Sequence, residues 1–120
     1  MRIVRRFTSQ DQDAYAAIAF TTTNSEIRNP DGSVVFQARD IEVPAQWSQV
    51  ASDVLAQKYF RKRGVPTKRK PINEPNVPAW LWRQEPDDEA LAALPEQQRW
   101  RGEASAKEVF DRLAGTWTYW

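Results

Sequence analysis

Residues 25–36 read Ser25-Glu-Ile-Arg-Asn-Pro-Asp-Gly-Ser-Val-Val-Phe36. At their centre, Asn29-Pro30-Asp31-Gly32 carries the chemistry of a tight turn: Pro presets φ, Asp bonds back to the backbone, and Gly accepts a positive φ. Ile27 on one side and Val34, Val35 and Phe36 on the other are β-prone, so the stretch predicts a β-hairpin. Tyr15 to Thr23 alternates loosely, with Ile18, Phe20 and Thr22 on one face, and is read as a third strand. A two-stranded hairpin alone is marginal in water, so this one needs a surface to pack on.

That surface is sought downstream. Pro44 suits the first turn of a helix, and Trp47, Val50, Ala51, Val54, Leu55 and Lys58 keep the spacing of one helical face, with Tyr59 beside it. The expected buried face is therefore Trp47, Val50, Val54 and Leu55. Lys62 and Arg63 fall in the expected last turn, and Gly64 and Pro66 stop it. A second helix opens with the capping box Ser105-Ala-Lys-Glu108 and carries an apolar stripe of Val109, Phe110, Leu113 and Ala114. It either ends at Gly115 or runs on through Trp117. Between the two helices lie six of the eight prolines, from Pro66 to Pro95, so an extended strap is expected there, with a short helix at Asp87 to Leu94. The expected fold class is α+β. It comprises an amino-terminal hairpin or three-stranded sheet (1–42), a central helix (44–63), a proline-rich strap with a short helix (64–104), and a capped helix with an aromatic end (105–120), all one domain over 1–120.

Composition narrows the chemistry. The 120 residues include no Cys and no His, which removes disulfides, thiolate and imidazole metal sites, cysteine nucleophiles and His-dependent triads. The four glycines are scattered at 32, 64, 102 and 115, so no phosphate-cradling loop is present. No catalytic, cofactor-binding or metal-ligating residue is assigned. No apolar run is long enough to span a bilayer, and no apolar stretch follows Arg2, Arg5 and Arg6 as a signal peptide requires, so a cytoplasmic protein without a membrane partner is expected. The charges nearly cancel (Lys+Arg 17, Asp+Glu 16) but are unevenly spread. Residues 1–70 hold 12 basic and 7 acidic side chains, a net of +5; residues 71–120 hold 5 and 9, a net of −4. A basic knot, Arg61, Lys62, Arg63, Lys68, Arg69 and Lys70, is the candidate contact for phosphate or nucleic acid. No basic face extends it, so a solvated helix end and linker is the preferred reading and nucleic acid is not the expected partner.

Six tryptophans are the unusual feature. Trp80 and Trp82 lie in the strap, and Trp117, Tyr119 and Trp120 crowd the last four residues. Large aromatics on irregular or terminal segments anchor a chain onto another surface, so these five are the candidate docking residues. Self-association through the last three is the alternative use.

Blocks along nearly the whole chain resemble the amino-terminal region of the vitamin B12-dependent (class II) ribonucleotide reductases. They are Ser25 to Phe36, Val43-Pro44 with Trp47-Ser-Gln-Val50, Leu55-Ala-Gln-Lys-Tyr-Phe-Arg-Lys62, Val77-Pro-Ala-Trp-Leu-Trp-Arg83 and Ser105 to Trp120. The resemblance implies an enzyme that makes deoxyribonucleotides for DNA synthesis. In that family, adenosylcobalamin generates a thiyl radical on a cysteine inside a ten-stranded α/β barrel, further cysteines supply electrons, and a glutamate and an asparagine assist. None of that machinery falls in the matched blocks, and this sequence has no cysteine. It is therefore expected to be a piece of such an enzyme (an amino-terminal domain, a split-gene product or a truncated relative), non-catalytic and cofactor-free by itself, with the remainder of the catalytic chain as its partner. The rival readings are a free-standing nucleotide- or nucleic-acid-binding module using residues 61–70, and a regulatory fragment that joins an intact reductase.

Overall fold

The computed structural model describes residues 4–120; Arg2, from the basic amino end, lies outside them. Two long strands, β1 (Phe20–Arg28) and β2 (Val34–Pro44), form an antiparallel hairpin that pairs Phe20 with Pro44 at one end and Arg28 with Val34 at the other. The turn closes as its residue types dictate. Gly32 N donates to Asn29 O at 2.9 Å, the Asp31 carboxylate accepts from Ser33 N at 2.8 Å, and Gly32 sits at φ +88°. A bulge opposite Asn24 places Asp40 at φ +53°, with its amide donated to Asn24 Oδ1 at 2.9 Å. The inserted residue shifts the core-facing positions of β2 from Phe36 and Ala38 to Ile41 and Val43.

There is no third strand in the amino-terminal segment described. Asp13 accepts the Tyr15 amide at 2.8 Å, residues 13–18 turn, and the alternating stretch from Phe20 belongs to β1 itself. The hairpin packs instead on helices, with a core of Ile41, Val43, Leu55, Ala56, Phe60, Ala106 and Val109.

The central helix departs from expectation at both ends. Pro44 closes β2, and α1 (Gln49–Val54) starts behind Ser48, whose hydroxyl accepts from Ala51 N at 3.2 Å. It then widens into a π-helical turn over Leu55–Tyr59, with Phe60 N donating to Leu55 O at 3.1 Å. The helix thus ends at Tyr59, and Lys62 and Arg63 lie beyond it. The buried face is Ser52, Leu55 and Ala56, followed by Phe60. Val50, 71% exposed, and Val54 point outward, while Trp47 is half covered, edge-on to Phe110 at 5.7 Å. The buried face keeps the 3/4 spacing but opens with the polar Ser52, while Val50 and Val54 are exposed, so following apolar residues alone selects the wrong face; the wider turn beyond it then ends the helix early and brings Phe60 into the core.

The strap is less irregular than its prolines suggest. β3 (Val65–Pro66) pairs with β6 (Trp100–Arg101), and β4 (Arg69–Pro71) pairs with β5 (Gln84–Pro86), both antiparallel. Pro66, Pro71 and Pro86 each end a strand, where a missing amide hydrogen is tolerated. The expected short helix is α2 (Asp88–Ala92), capped by Asp87 onto Ala90 N at 3.2 Å. Gly102 lies where an added Cβ would stand 2.7 Å from Lys62 O, so this crossing admits no side chain. The last helix, α3 (Ala106–Tyr119), has its full capping box and runs straight through Gly115. Ser105 also donates to the Glu42 carboxylate at 2.6 Å, which ties the start of α3 to β2. The whole is a small α+β module. Its radius of gyration, 17.3 Å, exceeds the roughly 14 Å of a close-packed chain of this length. Its core is small for its surface.

Candidate docking site

The carboxy-terminal end of α3 meets the strap at Glu74. This side chain sits in the tight turn before Pro75 and Asn76, where Asn76 adopts φ +66°, a left-handed conformation that Asn tolerates. Glu74 is 9% exposed, and its carboxylate gathers three donors. Arg83 N donates at 3.0 Å, Arg83 Nε at 2.8 Å, and the Tyr119 hydroxyl at 2.6 Å. The Trp82 indole N–H donates to Val77 O at 2.8 Å and Glu74 O at 3.1 Å. Bonding to the Arg83 amide, then to Tyr119, holds the Glu74 carboxyl below its ordinary range, against a smaller opposing effect of burial. The same bond to Glu74 raises the Tyr119 phenol. Glu74 therefore latches three elements: the turn, the strand entering β5, and the end of α3.

Beside this latch runs a groove of about 460 Å³ between the strap and α3, bordered by Trp80, Trp82, Arg83, Tyr119 and Trp120. The structure thus brings together four of the five docking candidates. Trp117, 70% exposed, stands on another side of α3 and does not border the groove. Trp80 and Trp120 are 75% and 90% exposed, whereas Trp82 and Tyr119 are fixed by their hydrogen bonds. The polar groups along the groove are occupied within the chain. Asp111 accepts from the Tyr15 hydroxyl at 2.6 Å, and Arg112 reaches Glu103 twice at 3.1 Å and Tyr59 O at 2.8 Å. Burial, then the bond to Asp111, pushes the Tyr15 phenol well above the tyrosine range. What the groove offers a visitor is two free indole faces on a rigid frame.

Sequence reading missed Glu74, Arg83, Asp111 and Arg112. The available signal was Glu74 itself, a lone acid among the prolines between two apolar residues, Ile72 and Val77. Five of the six basic residues divide between two places in the fold. Lys68, Arg69 and Lys70 lie on and before β4, where Lys70 approaches Glu85 at 3.8 Å. Arg61 and Lys62 border a separate groove under the hairpin. Among the described residues no group of three or more His, Cys, Asp or Glu is placed to hold a metal ion, and no helix is long and apolar enough to cross a membrane.

Comparison with known proteins agrees with the blocks of sequence that fold into this frame. Residues 21–120 match the model of the class II vitamin B12-dependent ribonucleotide reductases, and the chain belongs to that family. It is 63% identical over 120 residues to the vitamin B12-dependent ribonucleotide reductase of Bradyrhizobium diazoefficiens, covering all of this chain and 10% of that protein. To the enzyme of the same name from Agrobacterium fabrum it is 61% identical over 120 residues, 9% of that protein. A shorter match, 39% over 46 residues, links it to the enzyme of that name from Rhodopirellula baltica. The chain thus spans about a tenth of the length of the first two relatives.

Proposed function

We propose that this chain is the amino-terminal docking module of a cytoplasmic, adenosylcobalamin-dependent ribonucleotide reductase. Its partner is the remaining polypeptide, which carries the barrel, the radical chemistry and the making of deoxyribonucleotides. The observation that carries the reading is the pairing of a fixed frame with free rings. Glu74 locks Tyr119 and Arg83 in place, while Trp80 and Trp120 beside them remain exposed. Rigid, amphipathic rings on an ordered frame are the usual anchors of a protein interface.

The residues here do not suit the cofactor. The chain has no His or Cys to ligate cobalt, and its grooves, of about 400–460 Å³, are sized for drug-like molecules and open to solvent. No step of the reaction is assigned to them. The isolated chain with adenosylcobalamin, a dithiol and ribonucleotides is expected to give no turnover; any turnover overturns that part of the reading.

The docking itself is tested by mixing the chain with the Bradyrhizobium relative lacking its matching segment. Association is expected, with a blue shift of tryptophan emission that Trp80→Ala and Trp120→Ala together abolish. Absence of association, or an unchanged shift in the double variant, contradicts the reading.

A further inference from the structure

The second groove, of about 400 Å³, opens under the hairpin where β2 parts from the rest of the fold. At Glu42 the outer edge of β2 is covered, since Glu42 N donates to Ala104 O at 2.8 Å and Glu42 lies parallel to Ser105. Upstream of that point the neighbouring chain turns away. Glu103 N donates instead to Arg61 O at 2.8 Å, and β6 goes on to pair with β3. A wedge opens between β2 and the segments Arg61–Lys62 and Gly102–Ala104.

The edge left bare is a strand edge. Among the described residues β1 is the one strand that pairs with β2, and Glu42 is the one position of its outer edge that is bridged. In a strand of L-residues, side chains on one face share one hydrogen-bonding direction. Glu42, on the face away from the core, turns its amide outward. Phe36 and Ala38 face the core and so bond toward β1, which leaves the backbone of Val35, Gln37 and Arg39 facing the wedge. Among the described residues, none of the three makes a backbone hydrogen bond outside the hairpin. An open edge of this length, beside exposed Val34 and Val35, is a template for an added strand.

The wedge also has a sign. Arg39, Arg61 and Lys62 border it, and none has a carboxylate partner among the described residues. Its one bordering acid, Glu103, is taken by Arg112 and by the Arg61 amide at 2.9 Å. The floor is apolar, formed by Phe36, Ile41, Ala56 and Phe60. Lys62 Nζ donates to Gln57 O at 2.6 Å and lies 4.8 Å over the Phe36 ring, yet its charge, like those of Arg39 and Arg61, meets no carboxylate among the described residues. Three cations without a carboxylate over an apolar floor, beside a bare strand edge, fit an extended segment that alternates carboxylates with apolar side chains.

We propose that the outer edge of β2 receives such an acidic strand, and that the strand belongs to the remaining nine-tenths of the reductase polypeptide. The source rests on the docking reading above. The strand site itself rests on the edge and the charge.

The test uses the chain mixed with the Bradyrhizobium relative lacking its matching segment, read by amide hydrogen exchange and by tryptophan emission. Exchange at Val35, Gln37 and Arg39 is expected to slow at least tenfold on association. Arg39→Glu with Arg61→Glu, both at exposed positions, is expected to weaken association at least tenfold, and less so at high salt. If emission shifts but these amides exchange as in the free chain, the strand proposal is overturned and the docking reading stands. If nothing associates, both fall. If the isolated chain protects these amides in proportion to its own concentration, the edge pairs with a second copy and the proposal is overturned.

Discussion

Leu55→Ala compared with Val50→Ala measures the helix face directly. Both residues lie on the central helix and both are aliphatic. Leu55 is buried in the core beside Ile41, Ala56 and Val109, at the point where the helix widens into its π turn; Val50 is 71% exposed. Truncating Leu55 removes three carbons, worth roughly 2.4 kcal/mol at about 0.8 kcal/mol per buried methylene. The residual cavity adds about 24 cal/mol per Å³, or roughly 1 kcal/mol for a site that half collapses. The expected loss is therefore about 3 kcal/mol, within the range of about 2–5 kcal/mol found for such changes. A chain of this length is stable by about 6–18 kcal/mol, and so small a core places it toward the lower end. The midpoint should fall by about 10–15 °C, at roughly 3–5 °C per kcal/mol. Val50→Ala should stay within about 0.5 kcal/mol, because the lost contact is small and Ala is the better helix former. Urea and thermal melts followed by far-ultraviolet circular dichroism decide it. If Leu55→Ala melts within 2–3 °C of the parent (about a fifth of the shift worked above), or Val50→Ala loses as much, the buried face described for this helix is wrong.

Three further outcomes follow. Ser105→Ala removes the cap of α3 and the tie to Glu42, and should cost about 1 kcal/mol or somewhat more, read as lost stability in urea melts. Glu74→Gln should release Tyr119, lower its phenol toward the ordinary 10.0 in an ultraviolet titration, and speed amide exchange over residues 116–120. The latch also has a pH window. Glu74 is depressed below 4.5, so its contribution is complete above that value and is lost as pH falls through the lowered value; Tyr119 is raised above 10.0, so its contribution is complete below that value and is lost as pH rises through the raised one. Exchange at residues 116–120 should therefore show its greatest protection between those limits, and protection that is flat across them contradicts the latch.

What could be read from sequence was whatever is set locally. The Asn29 to Gly32 turn and the Ser105 capping box each depend on a few adjacent residues, and each formed as expected; the short helix expected from Asp87 to Leu94 formed as α2, with Asp87 as its cap rather than its first residue. What could not be read depends on distant partners. The π turn at Leu55 exists so that Phe60 enters a core built by β2 and α3, and no spacing within the helix shows it. Pro44 suits a helix start as well as a strand end, and only its pairing with Phe20 chooses between them. The strap's ladders join residues 13 to 36 positions apart, from Pro71 with Gln84 to Val65 with Arg101, among prolines that argue against strands. Of the candidate docking groove, four bordering rings, Trp80, Trp82, Tyr119 and Trp120, were legible from their number and place. The carboxylate that holds Tyr119 was not, since Glu74 meets it across 45 residues.

The exposed rings beside Glu74 are proposed to join this module to the rest of a B12-dependent reductase. The direct measurement replaces the matching segment of the Bradyrhizobium relative with this chain, with and without Trp80→Ala and Trp120→Ala, and follows adenosylcobalamin-dependent ribonucleotide reduction together with the melting of the assembled protein. Turnover is expected with the unaltered chain, and at least a tenfold loss of turnover or a separate, lower melting step for the module in the double variant. Full turnover and a single unchanged melt in the double variant would contradict it.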